Sequence, residues 1–198
     1  MKTLIIIDFQ KDFISGSLAV PNAVEAEDAI VNYIKEHHKE LKNVLFTVDW
    51  HRPKHCSFKN NGGIWPVHCV QYSEGAGISD KLINTCIEFN IPINVFKKGN
   101  ITDVEEYGAF QYIYDLGTEN NSFITVENKM HQLQYIDTPD IVICGLAGDY
   151  CVKESITNLL KYTGRIKLNI EVLLDGVKSI DDGTIFNNFI KENKISII

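Results

Sequence analysis

The chain has no run of basic residues, no long apolar stretch and no tract of biased composition, and each absence removes a class of function. Nineteen lysines and arginines stand against 26 acids, a formal net charge of −7, so the positive footprint by which proteins hold nucleic acid is missing. No apolar run approaches the roughly 20 residues needed to cross a bilayer. The opening Met1-Lys2-Thr3-Leu4-Ile5-Ile6-Ile7-Asp8 resembles a secretory leader only superficially. Its apolar stretch is too short, and an aspartate ends it where a small-residue cleavage site would stand. It reads as a buried strand. The cysteines are an odd five, at 56, 69, 86, 144 and 151, which fits reduced thiols in a cytoplasmic protein better than a disulfide framework. Neither a repeat nor a linker divides the 198 residues, so a single domain over 1–198 is expected, long enough to bury a sizeable core.

What is present is an alternation of short β-rich runs with amphipathic stretches. Thr3–Phe9, Asn43–Trp50, Ile91–Phe96, Asp140–Gly145, Leu168–Leu174 and Ile195–Ile198 read as strands, mostly unbroken apolar runs that suit a parallel sheet covered on both faces. Ala23–His38, Ile78–Asn90, Tyr150–Tyr162 and Gly183–Glu192 read as helices, with a weaker one over Lys129–Tyr135. The pattern predicts an α/β doubly wound, mostly parallel six-stranded sheet with helices on both faces. Ligands of such sheets bind beyond the carboxyl ends of the strands. Asp8 ends the first strand, Asp49 the second, Lys98 follows the third, and Cys151 lies just past the fourth.

Asp49 and His51 are two residues apart, so on an extended segment both side chains leave the same side of the backbone. His68 follows after a glycine-rich loop. One carboxylate and two imidazoles form an N/O donor set for a divalent transition metal and leave positions open, as a working rather than a structural metal requires. Zinc fits this set, and manganese and iron fit comparably. Taken alone, a D-x-H pair is more often a turn cap with surface histidines.

Gly145-Leu146-Ala147-Gly148-Asp149-Tyr150-Cys151 reads as strand end, tight turn and helix start, which places Cys151 in a first helical turn. There the helix dipole lowers a thiol pKa and unpaired amides can receive an oxyanion. Cys144 and Cys86 fit ordinary buried packing. A cysteine nucleophile wants a base. Asp8, preceded by apolar residues, is the candidate, with Lys98 offsetting its charge.

The order of these motifs is similar to that of the nicotinamidase (pyrazinamidase) branch of the isochorismatase-like cysteine hydrolases. The resemblance runs from Ile5 to about Ile180. It rests on Ile7-Asp8-Phe9-Gln10-Lys11-Asp12-Phe13, Gly16-Ser17-Leu18-Ala19-Val20 and Asp49-Trp50-His51 with His55-Cys56-Ser57-Phe58. It continues through Gly63-Ile64-Trp65-Pro66-Val67-His68-Cys69-Val70, Lys98-Gly99, Glu106-Tyr107-Gly108-Ala109-Phe110 and Gly145 to Val152. The resemblance implies a catalytic triad of Asp8, Lys98 and Cys151 and metal ligands Asp49, His51 and His68, with the metal facing a pyridine nitrogen. It implies an oxyanion hole from the Ala147 and Cys151 amides, a cis Leu146–Ala147 peptide, Phe13 and Trp65 sandwiching the ring, and Tyr107 as a pocket wall. It further implies nicotinamide as small-molecule substrate, hydrolysis through a Cys151 thioester, a place in NAD salvage, no nucleic-acid or membrane partner, and a possible homo-oligomer. Gly148 departs from the family, which usually carries threonine there, and His55 and Ser57 have no settled place in the metal shell.

Other readings are a cysteine hydrolase of the same superfamily acting on another small amide, a metal- or ligand-binding module without turnover, and an isochorismatase. The metal ligands disfavour the first, and Cys151 disfavours the last.

Overall fold

The computed structural model describes residues 1–110, 136, 138–161 and 167–198. The predicted helix over Lys129–Tyr135 lies outside them. In chain order the elements are β1 (Lys2–Ile7), α1 (Lys11–Ile14), α2 (Ala23–His37), β2 (Leu41–Asp49), α3 (Asp80–Glu88), β3 (Ile93–Lys98) and β4 (Asp140–Leu146). A π-type turn over Gly148–Val152 then leads into α4 (Lys153–Leu160), followed by β5 (Asn169–Lys178), α5 (Thr184–Glu192) and β6 (Ser196–Ile197).

The strands form one six-stranded sheet in the order β3-β2-β1-β4-β5-β6. Every strand pairing in it is parallel, which bears out the expected six-stranded, mostly parallel sheet. Beyond Lys2, every residue of β1 is buried, as are all of β2 but Lys42 and all of β4 but Asp140. Burial of both faces is why these strands read as continuous apolar runs. Helix α2 presents Ala23, Ala26, Ile30, Val31 and Ile34 to the interior at three- and four-residue spacing and packs on β5 and beside α3. The Ser79 side chain caps α3, accepting from Leu82 N. No helix among the described residues is long and apolar enough to span a membrane.

Three local features differ from the sequence reading. Helix α1 is one turn, too short to leave a 3.6-residue signature. Strand β5 runs on to Lys178 because a register shift between Ile143 and Gly145 lets Val177 pair with Gly145. The expected helix over Tyr150–Tyr162 is preceded by the wide turn, in which Val152 N donates to Ala147 O five residues back, so Cys151 sits in that turn and not in the first turn of α4.

The strand order reverses its direction of growth between β1 and β4, the switch point at which a parallel sheet opens a crevice above its strand ends. Gly145 holds β4 against β1 at this point. Its φ of +128° and its pairing with Ile7 bring the two backbones so close that a Cβ would lie 2.1 Å from Ile7 O. Gly145→Ala should therefore destabilise the protein by about 3 kcal/mol, backbone strain and overpacking combined. A thermal melt should show this as a fall in Tm of roughly 6–12 °C. An unchanged Tm would mean that β1 and β4 can part without cost.

Candidate active site

Four strand ends deliver the candidate groups to this crevice. Asp8 follows β1 directly, with φ at +47°, and is fully buried. Asp49 is the last residue of β2, and Lys98 is the last of β3 rather than the residue after it. The two are register partners, because β3 ends two residues later than its apolar run suggests. Lys98, 1% exposed, places Nζ 2.8 Å from Asp8 Oδ2 and 2.6 Å from Asp49 Oδ1. The same ammonium lies 3.5 Å from Cys151 Sγ and donates to Glu106 O at 3.3 Å. Thr47 Oγ1 donates to the other Asp8 oxygen, Oδ1, at 2.6 Å, and in turn accepts from Asp8 N. Donor atoms of Asp8, Asp49 and Cys151 all lie within 4.8 Å of one another.

Electrostatics in this dry cluster follow from burial and one cation. Burial raises the Asp8 carboxyl pKa, and Lys98 only partly opposes it. Burial pushes Asp49 the same way, but Lys98, His51 and His68 outweigh that and hold it below the usual carboxylate range. For Lys98, burial disfavours the charge, yet Asp49, Asp8 and Cys151 together drive its pKa well up. Burial also drives the Cys151 thiol well above its ordinary value despite Lys98, and Asp8 and Asp49 add to this. The depression expected from a helix dipole is not what this setting favours: Cys151 is buried in the wide turn before α4, within 4.8 Å of two carboxylates, and burial pushes its thiol pKa up.

Beside this cluster the two imidazoles face the second Asp49 oxygen. His51 Nδ1 donates to Gly99 O and His68 Nδ1 to Pro66 O, both at 2.8 Å. A carbonyl can only accept, so each Nε2 is left unprotonated in the neutral ring. These Nε2 atoms lie 3.4 and 3.8 Å from Asp49 Oδ2. Three donors oriented by fixed partners, all within 4.8 Å, fit a divalent metal ion. His55 stands apart from this set. Its ring lies tilted against that of His51, centroids 4.1 Å apart, and its Nδ1 accepts from Ser57 N.

Phe13, Trp65, Tyr107, Ala147 and Cys151 line one small cavity together with Asp49 and His68. Trp65 Nε1 donates to Tyr107 OH at 3.0 Å, tying two of the aromatic walls together. The Leu146–Ala147 peptide is cis, as the resemblance implies. All the predicted site residues thus converge. The sequence reading missed Leu18, Glu105, Tyr150 and Ile180 as lining residues. Tyr150, edge-on to Trp65 at 4.9 Å, was marked by its place next to Cys151. Ile180 carried no local signal; the Asp149 carboxylate holds its loop by accepting from Ile180 N and Asp181 N.

The fold and this site together are those of the isochorismatase-like hydrolases. No family model matches the chain. It is 31% identical to the nicotinamidase of Saccharomyces cerevisiae over 97% of its own length and 94% of that protein. The crystal structure of yeast nicotinamidase bound to the inhibitor nicotinaldehyde superposes with a TM-score of 0.78 at 28% identity, covering all of this chain and 99% of the other. The pyrazinamidase of Pyrococcus horikoshii in complex with zinc gives a TM-score of 0.76, also at 28% identity, over all of this chain and 98% of the other. The chain belongs to the nicotinamidase family.

The donor geometry makes a prediction about metal binding. Zinc titrated into chelator-stripped protein should fill one tight site. Asp49→Ala or His51→Ala should weaken it by more than the roughly 10–100-fold that losing a supporting partner costs, while His55→Ala stays at or below that range. Equal losses for His55→Ala and His51→Ala would make His55 a ligand.

Proposed function

We propose that this chain hydrolyses nicotinamide to nicotinate and ammonia through a thioester on Cys151. The observation that carries the reading is the placement of the Cys151 thiol: it opens into an aromatic-walled cavity, with Asp8 and Lys98 beside it and the Asp49–His51–His68 donor set on the same wall. The names of the relatives support the substrate, and the nicotinaldehyde complex of the yeast enzyme shows a pyridine carbonyl compound bound to that protein. Pyrazinamide, which also keeps a ring nitrogen, is proposed as a second substrate.

Asp8 takes the thiol proton as Cys151 Sγ attacks the carboxamide carbon, so no free thiolate need accumulate in the buried site. Lys98 steadies the charge on sulfur. The Ala147 and Cys151 amides receive the oxyanion. Collapse breaks the C–N bond, and Asp8 returns its proton to the departing ammonia. Asp8 then accepts a proton from the water that attacks the thioester and returns it to sulfur as the C–S bond breaks, so the acid leaves, losing its own proton to become nicotinate, with the thiol and the Asp8 carboxylate both restored. Phe13 and Trp65 hold the flat ring, and orientation of this kind is worth several kcal/mol, about 7 or more in the best cases. A divalent metal, zinc by preference, held by Asp49, His51 and His68 would supply a Lewis acid for the ring nitrogen.

Ammonia release from nicotinamide tests the reading. Cys151→Ala should abolish it while keeping metal content, since no ligand is touched, and benzamide, without a ring nitrogen, should show a kcat/KM lower by about 10²-fold or more. Residual turnover above about a percent in Cys151→Ala would rule out the thioester.

Asp8 sets the acid limb of the pH profile, because only the carboxylate can accept the thiol proton. Asp8→Asn should lower kcat by roughly 10²–10⁴. Thr47→Val removes a hydrogen bond that favours the ionised carboxyl, so the Asp8 pKa rises and the acid limb should move to higher pH. A limb that stays in place, or moves to lower pH, would assign it to another group.

A further inference from the structure

We propose that Glu106 is the positioning residue that locks the lysine of the reacting cluster and a histidine of the metal site to one backbone hinge. The inference rests on the functional reading above and extends it to a residue that touches neither substrate nor metal donor set. Glu106 is only 1% exposed, and its carboxylate Oε2 accepts from Gly99 N at 2.9 Å. Gly99 follows Lys98 directly and is gripped from both sides, because its own carbonyl accepts from His51 Nδ1 at 2.8 Å. The fit leaves no slack. Gly99 has φ at +64°, and a Cβ there would lie 2.5 Å from His51 Cε1 and 2.8 Å from His51 Nδ1. The main-chain carbonyl of the same Glu106 accepts from Lys98 Nζ at 3.3 Å. One residue thus fixes both the ammonium and the peptide that orients a metal-facing imidazole.

Glu106 itself stands on firm ground. The segment that follows it is pinned to α4, the helix beyond Cys151, where Ala109 N donates to Ser155 Oγ at 3.0 Å and Phe110 N to Asn158 Oδ1 at 3.2 Å. The segment 106–110 therefore braces the end of β3, through the Glu106 carboxylate, against the helix that follows the turn of Cys151. Burying a carboxylate is costly unless it is hydrogen-bonded, and a packing role alone would be filled by an apolar side chain. Removing the carboxylate leaves the Gly99 N–H without this acceptor, frees the peptide to tilt, and moves Lys98 and the carbonyl on His51 together.

The test compares the full-length wild type with Glu106→Ala, Glu106→Met and Glu106→Gln. It reads the zinc Kd of the chelator-stripped protein, and kcat and KM for nicotinamide with zinc saturating. Glu106→Ala should raise the zinc Kd about tenfold or more, in the range expected for a lost supporting partner, and lower kcat by a similar factor even with the metal site full. Glu106→Gln keeps an acceptor for Gly99 N and should restore both to within about threefold of wild type. If the alanine variant does not fold by circular dichroism, the Met and Gln variants carry the same comparison. A lowered Tm with zinc Kd and kcat both unchanged, or a Gln variant as impaired as Ala or Met, would overturn the proposal. Should the wild type release no ammonia from nicotinamide, the functional reading falls, and the zinc titration still decides the role of Glu106.

Discussion

Everything in the crevice depends on one buried ammonium. Lys98 is removed from water with two carboxylates at 2.6 and 2.8 Å, an arrangement whose desolvation is repaid only when geometry is fixed and the remaining polar atoms are partnered. The sheet supplies that fixity. Lys98 and Asp49 are register partners in adjacent parallel strands, and Asp8 leaves the neighbouring strand β1 while bonded to Thr47 of β2. Slipping either pairing by one residue would turn a charged side chain to the opposite face and leave its partner uncompensated. Strand register and charge pairing therefore select each other.

The two oxygens of Asp49 divide two tasks. Oδ1 meets Lys98, and Oδ2 faces His51 and His68. A single carboxylate thereby joins the cluster around the thiol to the donor set for a metal, so the two halves of the site cannot drift apart. It also explains why Asp49 stays ionised while Asp8, with the same cation but without imidazoles beside it, is pushed the other way. Two aspartates on neighbouring strand ends take different roles because their surroundings differ, as acid–base chemistry at one pH requires.

The layout of the sheet was legible because strands buried on both faces cannot hide; unbroken apolar runs such as Leu4–Ile7 have few other uses. Asp8, Asp49, His51 and Cys151 were legible because chemistry-bearing residues just at or beyond strand ends stand out against apolar neighbours, and His68 because it completes the donor set that Asp49 and His51 begin. Lys98 was placed one step too far out, since β3 is an edge strand whose last residues alternate between exposed and buried and so lose the apolar signature. Ile180 left no local mark, and Glu106 stood in a motif of the resemblance without a role attached to it. The first is held by a carboxylate about thirty positions away, the second acts through the amide of a glycine, and neither contact follows a periodicity.

The state of the thiol shows how far local rules reach. Sequence places Cys151 at a helix start, where a dipole would favour thiolate. The structure puts it in a wide turn that precedes the helix, within 4.8 Å of two carboxylates and closed from water. In that setting burial and negative neighbours outweigh one ammonium at 3.5 Å and push the thiol pKa up. This arrangement suits a nucleophile that should react only with a bound substrate. In the proposed reaction the proton would pass to Asp8 as the C–S bond forms and negative charge would move from sulfur onto an oxygen received by backbone amides, so that charge would not be left alone in the buried site. Reactivity in that proposed reaction would be conditional on the cavity being filled, a property of the assembled strand ends and of no single motif among them.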